Sequence, residues 1–207
     1  GRPRNPIPRE VLLQHAIEAF AELSYTGASM NEIAERAGIR KASLFHHFAS
    51  KEALYLEAIT QVVTKLGRMI EKAHLDRDSF AERLDRLSSL VTEYLGGTQS
   101  AARLLIRELV GKGPYLNGPG AAPASATLAL VTAFFQSGID SGECAACDAS
   151  HLATTLLGLH LCHFASPDFS AQVIGMGVFE PQSLQERRAA VILQTRRLCG
   201  LPDSSPD

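Results

Sequence analysis

The 207-residue sequence has few cysteines and no long apolar run, and each absence excludes a class of protein. Its four cysteines all lie in the second half and are too few for a scaffold held together by disulfides. No stretch of roughly 18 uninterrupted apolar residues occurs, and the N-terminal residues are polar. The sequence therefore predicts neither a membrane span nor a secretory signal, and the expected location is the cytoplasm.

The chain also lacks a strong excess of positive charge, since 20 Lys and Arg oppose 22 Asp and Glu for a net charge of −2. Residues 1–74 carry ten basic and eight acidic side chains, whereas residues 75–207 carry ten and fourteen. Net charge alone therefore does not indicate a nucleic-acid partner, and any such prediction depends on where the basic side chains lie. The apolar content of 45% predicts a globular protein with a substantial core.

Helical periodicity dominates the chain and predicts an all-α fold, because no window alternates strictly as a strand does. Three serines followed three residues later by glutamate have the spacing of a capping box at a helix start. These pairs are Ser29/Glu32, Ser79/Glu82 and Ser183/Glu186. The predicted helices cover residues 9–23, 30–37, 41–47, 51–73, 80–96, 100–112, 124–141, 148–165 and 184–199. The Gly/Pro-rich stretch at 111–123 is either a loop beside a cavity or a linker.

Residues 29–48, "SMNEIAERAGIRKASLFHHF", have the anatomy of a helix-turn-helix. A short helix is expected to end at Gly38, where a positive φ turns the chain sharply. Ile39 and Leu44 are predicted to pack the second short helix against the first, which leaves its other side chains facing outwards. A helix of about two turns with one free face fits the major groove of B-DNA, which is about 12 Å wide.

The run from Val11 to about Leu56, with "MNEIAERAGI", "KASLFHHF" and "SKEALY", resembles the DNA-binding domain of TetR-family transcriptional regulators. The resemblance implies a helix-turn-helix domain at residues 1–51, followed by a helical effector-binding and dimerisation domain at residues 52–207. A fourth helix at 51–73 would connect the two. The resemblance implies base-edge contacts from Asn31, Lys41, Ala42 and Ser43, and backbone contacts from Phe45, His46, His47 and Lys51.

The chemistry of these side chains fits the implied roles, with two departures from the family pattern. Lys41 can donate to guanine O6 and N7, and Lys51 follows Ser50, the expected N-cap of the next helix. The family usually has tyrosine where this chain has Phe45, so a hydroxyl that bonds phosphate is lost. Arg40 replaces a small capping residue and either contacts phosphate or is solvated. The leader "GRPR" is either a minor-groove arm or disordered.

A recognition helix of two turns contacts few base pairs, so specific binding predicts a homodimer on a palindromic double-stranded DNA operator. The last two helices are predicted to pair with their copies in a four-helix bundle, the alternative being that they only close their own core. The predicted interface residues are Leu152, Thr155, Leu156, Gly158, Leu159, Leu184, Val191, Ile192, Thr195 and Leu198.

The middle helices are predicted to enclose a cavity for a small lipophilic or planar effector. The candidate apolar and aromatic residues could equally be plain core. They are Leu87, Val91, Tyr94, Leu105, Leu109, Phe134, Phe135 and Phe164, with Arg103, Arg107, Gln136 and His160 as polar anchors.

Two other motifs were weighed against this interpretation. Cys144 and Cys147 have a chelating spacing, but no second ligand pair follows within reach, so they are structural cysteines or a thiol switch. Glu71 and His74 match one half of a di-iron motif whose second copy is missing. No cofactor, metal or catalytic residue is predicted. The sequence predicts a ligand-responsive transcriptional regulator, and the resemblance to the TetR family implies that it is a repressor. A redox- or metal-responsive DNA-binding switch and a helical enzyme or carrier are the alternatives.

Overall fold

A computed structural model of the chain describes residues 7–75, 78–111, 113–116, 118–145 and 147–203, so the leader "GRPR" lies outside the described residues. The described residues form ten α-helices, a short 3₁₀ turn at Pro119–Ala121 and no strand, which confirms the all-α prediction. The helices are α1 Arg9–Gly27, α2 Met30–Arg36, α3 Lys41–His47, α4 Lys51–Leu75, α5 Phe80–Gly97, α6 Ala101–Val110, α7 Ala122–Asp140, α8 Ala149–Ala165, α9 Pro167–Ile174 and α10 Pro181–Leu198.

Two features between α8 and α10 differ from the sequence prediction. The segment after α8 contains α9, which begins at Pro167, ends at Ile174 and is followed by Gly175, a left-handed residue with φ 78°. Helix α10 begins at Pro181, where the fixed φ of proline suits the first helical turn. Ser183 therefore lies inside the helix and is buried without a hydrogen bond for its hydroxyl, so the predicted capping box at Ser183/Glu186 is wrong.

The other two predicted caps are present. Ser79 and Glu82 form the complete reciprocal box at the start of α5. Ser29 accepts a hydrogen bond from the backbone N–H of Glu32, while the Glu32 carboxylate pairs with Arg36 at 3.0 Å instead of returning to the cap. A glutamate at this position can either complete the capping box or form an ion pair along the helix, and Glu32 forms the ion pair.

The 25-residue helix α4 connects the helix-turn-helix to the rest of the chain. It packs against α1, α5 and α7. Tyr55 near its start contacts Phe20 of α1, whereas Lys65 and Gly67 further along lie against α5 and α7. Leu54, Ala58, Ile59 and Val62 are fully buried along this face. A displacement of α4 by the C-terminal helices would therefore also move the elements that hold α3.

Helix α7 is, by length and composition alone, apolar enough to cross a membrane. In the structure it packs along α4 and α8, and its Phe134 and Phe135 rings are buried. One face of α7 therefore belongs to the core, while 28% of its 18-residue apolar window is buried.

Gly138 on α7 allows the Phe80 ring to pack closely against the helix. A Cβ at this position would lie 2.6 Å from a carbon of the Phe80 ring, which Phe134 and Phe135 confine at centroid distances of 5.3 and 6.3 Å. Gly138→Ala is therefore expected to lower the free energy of unfolding by about 1–3 kcal/mol in urea titrations. The control Gly97→Ala, whose Cβ meets nothing within 4 Å, should change it by less than about 1 kcal/mol in either direction. Equal losses in the two variants would contradict the close contact.

Candidate nucleic-acid interface and ligand cavity

The turn between α2 and α3 has the conformation that the sequence predicts. Gly38 has φ 67°, and the following Ile39 N–H donates to the carbonyl of Ala34 at 2.9 Å. Leu44 and Phe48 are buried at 0% and 2% exposure, which anchors α3 by one face. The opposite face of this short helix is consequently held towards solvent.

The predicted DNA-contacting residues mostly lie on that free face. Lys41, Ala42, Phe45 and His46 are exposed, and the Lys41 ammonium lies 5.9 Å from the centre of the Phe45 ring. Three further residues surround them: Arg40 is exposed, while Ser43 and His47 are half-buried. Arg40 makes no side-chain cap hydrogen bond at the start of α3, as its chemistry predicts. The exposed side chain of Asn31 donates to Glu35 at 2.7 Å.

Lys51 has intramolecular partners in the structure. Its ammonium donates to the carbonyl of Ala28 at 3.1 Å and lies 4.6 Å from the centre of the Tyr25 ring. The neighbouring Ser50 accepts a hydrogen bond from the Ala53 N–H at 3.0 Å, which confirms Ser50 as a cap of α4. Lys51 therefore joins the start of α4 to the segment before α2.

Two adjoining cavities lie between α4 and the later helices. The first, lined mainly by α4, α6, α7 and α8, has a volume of about 530 Å³ including its open mouth, and the second, which reaches α5, about 550 Å³. Both are bordered by Leu66, Thr127, Leu128, Leu157 and Leu161. Leu105 and Leu109 line the first cavity, whereas Leu87, Val91 and His160 line the second, so five of the predicted cavity residues do line a cavity.

The other predicted effector residues lie outside the lining of both cavities. Phe134 and Phe135 pack with Phe80 in an aromatic core, and Phe164 stacks on Phe179 at 6.1 Å between ring centres. Gln136 is exposed and donates a hydrogen bond to Asp140, and the Tyr94 ring lies under the Lys65 ammonium. Arg103 is half-buried on α6, and Arg107 contacts α1. Helical periodicity correctly predicted that Phe134, Phe135 and Phe164 face inwards. Whether an inward-facing residue borders a cavity depends on the helices packed against it.

Arg107 and Glu108 link α6 to the N-terminal helices. Arg107 donates to the carbonyls of Ala21 and Glu22 at 2.6 and 3.0 Å, just before α1 breaks at Ser24 with φ 66°. Arg107 therefore caps part of α1, because unsatisfied carbonyls at a helix break attract a guanidinium, and it lies outside the lining of both cavities.

Glu108 is a buried acid that the sequence analysis missed. Its carboxylate, 4% exposed in the wall of the first cavity, accepts hydrogen bonds from the Tyr55 hydroxyl at 2.6 Å and from the N–H groups of Tyr115 and Leu116 at 3.0 and 2.9 Å. Burial and the bond to Glu108 raise the pKa of Tyr55, so Tyr55 stays a donor at neutral pH. The signal was available, since Glu108 follows the buried Leu104 by four residues on one helical face.

His160 presents a neutral imidazole to the second cavity. It is 2% exposed, and neither of its ring nitrogens has a hydrogen-bond partner within the chain. Burial and the nearby Arg187 guanidinium lower the pKa of His160 to about 3, and the same causes lower the pKa of His163 to about 4. The buried imidazole beside the cavity therefore carries one unused donor and one unused acceptor.

The predicted interface residues are divided between surface and core. Thr155, Gly158 and Leu198 are exposed, and Leu159, Leu184 and Ile192 are half-buried. Leu152, Leu156, Val191 and Thr195 are buried within the chain. Leu156 lines the second cavity, and the Thr195 hydroxyl lies 3.4 Å from that of Ser88 on α5. These four residues therefore close the core of their own chain, which is the alternative to an interface role.

The cysteine motif has an unexpected third member. Cys144 is buried beside Cys199, the residue that follows α10, while Cys147 and Cys162 are exposed. Among the described residues, no group of three or more His, Cys, Asp or Glu side chains is arranged to hold a metal ion. The sequence analysis missed Cys199 because 54 residues separate it from Cys144 in the chain.

Comparisons with known proteins relate these features to other chains. Residues 12–58 match the family model of the bacterial regulatory proteins of the tetR family. The HTH-type transcriptional regulator RutR of Escherichia coli K12 is 27% identical over 167 residues, covering 80% of this chain and 76% of RutR. The regulator FadR of Bacillus subtilis, solved with stearoyl-CoA, superposes with a TM-score of 0.70 at 17% identity, over 91% of this chain and 97% of FadR.

A second solved structure, AibR in complex with isovaleryl coenzyme A and operator DNA, superposes with a TM-score of 0.68 at 20% identity. The match covers 93% of this chain and 98% of AibR. At these identities the two structures show that this chain shares their fold.

Proposed function

The chain belongs to the TetR family of transcriptional regulators, which are not enzymes, and from this premise we propose that it is a homodimeric repressor released from its operator by a lipophilic effector. It would act on DNA in the cytoplasm. The observation that carries the proposal is the free face of α3, on which Lys41, Ala42 and His46 are exposed while Leu44 anchors the helix. Side chains on such a face reach base edges when the helix enters a major groove.

Dimerisation is proposed through the outer faces of α8 and α10. Thr155 and Gly158 are small and exposed on α8, and Leu198 is 47% exposed on α10, so two copies can approach closely there. A two-fold pair would present two α3 helices to major grooves about 34 Å apart, on the same side of a palindromic duplex. AibR, which has a similar fold, was solved with operator DNA, which supports DNA binding by this fold.

The effector is proposed to occupy the two adjoining cavities. Their walls are almost wholly apolar, and the structures of FadR and AibR were solved with acyl-CoA molecules, whose acyl chains are lipophilic. Glu108 disfavours an anionic group at one end, because like charges repel strongly in an apolar site. His160 offers a hydrogen bond at the other end. The ligand class that fits is an apolar body carrying one uncharged oxygen.

Helix α6 is proposed to transmit effector binding to the DNA-binding helices. Glu108 lies in the cavity wall and bonds Tyr55 of α4, while Arg107 beside it bonds the carbonyls of α1. An effector that pushes α6 outwards would therefore shift α1 and α4 and change the separation of the two α3 helices. Coupling free energies in such regulators are of the order of 1–3 kcal/mol.

Lys41→Ala tests the proposed role of α3 in DNA binding. In a mobility-shift assay with the DNA upstream of its own gene, the variant is expected to lose roughly 10- to 100-fold in affinity for that site, because a base-edge contact is removed. The control Lys72→Ala removes an exposed charge near the C-terminal end of α4, away from α3, and should change the affinity for DNA by less than about threefold. Equal effects of both variants would contradict the role of Lys41. A parent protein that stays monomeric, or ignores this DNA at low ionic strength, would contradict the proposed function.

A further inference from the structure

Three cysteines come together where the segment after α7 meets the end of α10. The Ala145 N–H donates to the carbonyl of Cys199 at 2.8 Å, and a Cβ on Gly200 would lie 2.9 Å from that of Ala145. This backbone bond places Cys144 directly against Cys199, and both side chains are buried, at 4% and 1% exposure. Two segments that are far apart in sequence are thereby held with Cys144 and Cys199 next to each other.

The three thiols differ in how accessible they are. Cys144, Cys199 and Cys147 are close enough for their thiols to interact with one another. Burial raises the pKa of Cys144 and of Cys199, so both stay protonated at neutral pH and react slowly with an oxidant. Cys147 is exposed to solvent and its thiol points to the carbonyl of Ala145 at 3.2 Å. An oxidant can thus reach the cluster through Cys147.

We propose that Cys147, Cys144 and Cys199 form a peroxide-responsive thiol relay that stores oxidation as a buried Cys144–Cys199 disulfide. The Cys147 thiolate attacks hydrogen peroxide, which gives a sulfenic acid and hydroxide. The Cys144 sulfur then attacks the Cys147 sulfur and passes its proton to the departing hydroxide, which leaves as water and gives a first disulfide. Attack of Cys199 on the Cys144 sulfur moves the disulfide inwards and releases the Cys147 thiolate. In total two thiols and one peroxide give one disulfide and two waters.

The buried disulfide would connect two parts of the C-terminal helices. The segment that carries Cys144 also carries Glu143, whose carboxylate accepts the Phe80 N–H at the start of α5 at 2.8 Å. Cys199 directly follows α10, which packs along α5. The bond would therefore stiffen the α5–α10 pair, and α10 is one of the two helices proposed to meet the second subunit. Chemistry at the cluster itself does not depend on DNA binding.

The purified protein provides the test, with exposed Cys162 on α8 as an internal control. After treatment with hydrogen peroxide, the parent and Cys162→Ser should lose about 2 Da, and peptide mapping without reductant should find Cys144 joined to Cys199. The midpoint of thermal unfolding should rise by roughly 5–15 °C and return when dithiothreitol is added. Cys147→Ser should form the same disulfide at least about tenfold more slowly, since peroxide no longer meets an exposed thiol of the cluster.

Two results would overturn the relay: Cys147 oxidised to sulfinic acid with Cys144 and Cys199 still free, or Cys147→Ser oxidised as fast as the parent. Cys199→Ser should stop at a Cys144–Cys147 disulfide, and if that variant does not fold, the rate of Cys147→Ser still decides. The mass measurement requires no DNA. Operator binding of the oxidised and reduced protein is measured separately, so a protein that forms the disulfide without binding DNA would disprove the proposed function alone.

Discussion

Glu108→Ala is expected to lower the free energy of unfolding by about 3–5 kcal/mol, because it leaves buried donors without an acceptor. The Tyr55 hydroxyl and the N–H groups of Tyr115 and Leu116 all donate to this carboxylate. Tyr55 and Tyr115 are 2% and 0% exposed, so water cannot replace the lost acceptor without opening the core. The variant also separates α6 from α4, which should reduce the response of the protein to its effector.

Urea titrations followed by circular dichroism measure this change directly. Glu93→Ala is the matched control, because Glu93 pairs with Arg188 at 3.3 Å on the surface and its loss should change the free energy of unfolding by less than about 1 kcal/mol. Glu108→Gln keeps the shape and one acceptor oxygen, so its loss should be intermediate. If Glu108→Ala proved as stable as Glu93→Ala, the three hydrogen bonds would not be what holds α6 to Tyr55 of α4 and to the loop at Tyr115 and Leu116.

The helix-turn-helix was predictable because its determinants are local. Gly38 turns the chain and Ser50 caps α4, each through residues fewer than six positions away, and Leu44 anchors α3, which packs against α2 immediately before it in the chain. Local signals of this kind can be recognised in one sequence without knowing what packs against it. Such signals can also mislead, as Ser183 shows: α10 begins at Pro181, two residues before the serine that was predicted to cap it.

The ligand cavity was predictable only in part, since it is formed by helices distant in sequence. Leu87 and Phe134 both face inwards, but Leu87 borders the second cavity and Phe134 packs against Phe80. The contact of Arg107 with Ala21 and that of Cys144 with Cys199 likewise join distant segments. No periodicity records such pairs, so the network of α6 and the thiol cluster required the three-dimensional structure.

His160→Leu is expected to stabilise the protein without ligand by about 1–3 kcal/mol near neutral pH, because it replaces two unpaired buried nitrogens by an apolar group of similar size. The gain should increase in acid. The pKa of His160 is about 3 in the folded protein against an ordinary value of 6.5, so below pH 6.5 the unfolded chain takes up a proton that the folded chain does not. The parent should therefore lose about 2 kcal/mol at pH 5 through this histidine, and the variant should not.

Unfolding titrations at pH 7 and pH 5 test both parts of this expectation. The control His151→Leu changes an exposed histidine on the same helix and should alter the free energy of unfolding by less than about 0.5 kcal/mol at pH 7. If His160→Leu proved less stable than the parent, other interactions of the imidazole within the chain would outweigh the cost of its two unpaired nitrogens.

The same variant tests whether His160 contacts an effector. The parent should bind nonan-2-one about tenfold more tightly than nonane, because the ketone oxygen accepts a hydrogen bond from the imidazole in an apolar cavity. His160→Leu should bind both probes equally while remaining folded, as judged by its higher stability. Loss of ketone preference together with gain of stability cannot come from general damage to the fold. An unchanged preference for the ketone would place the polar end of the ligand elsewhere and leave the unpaired imidazole unexplained.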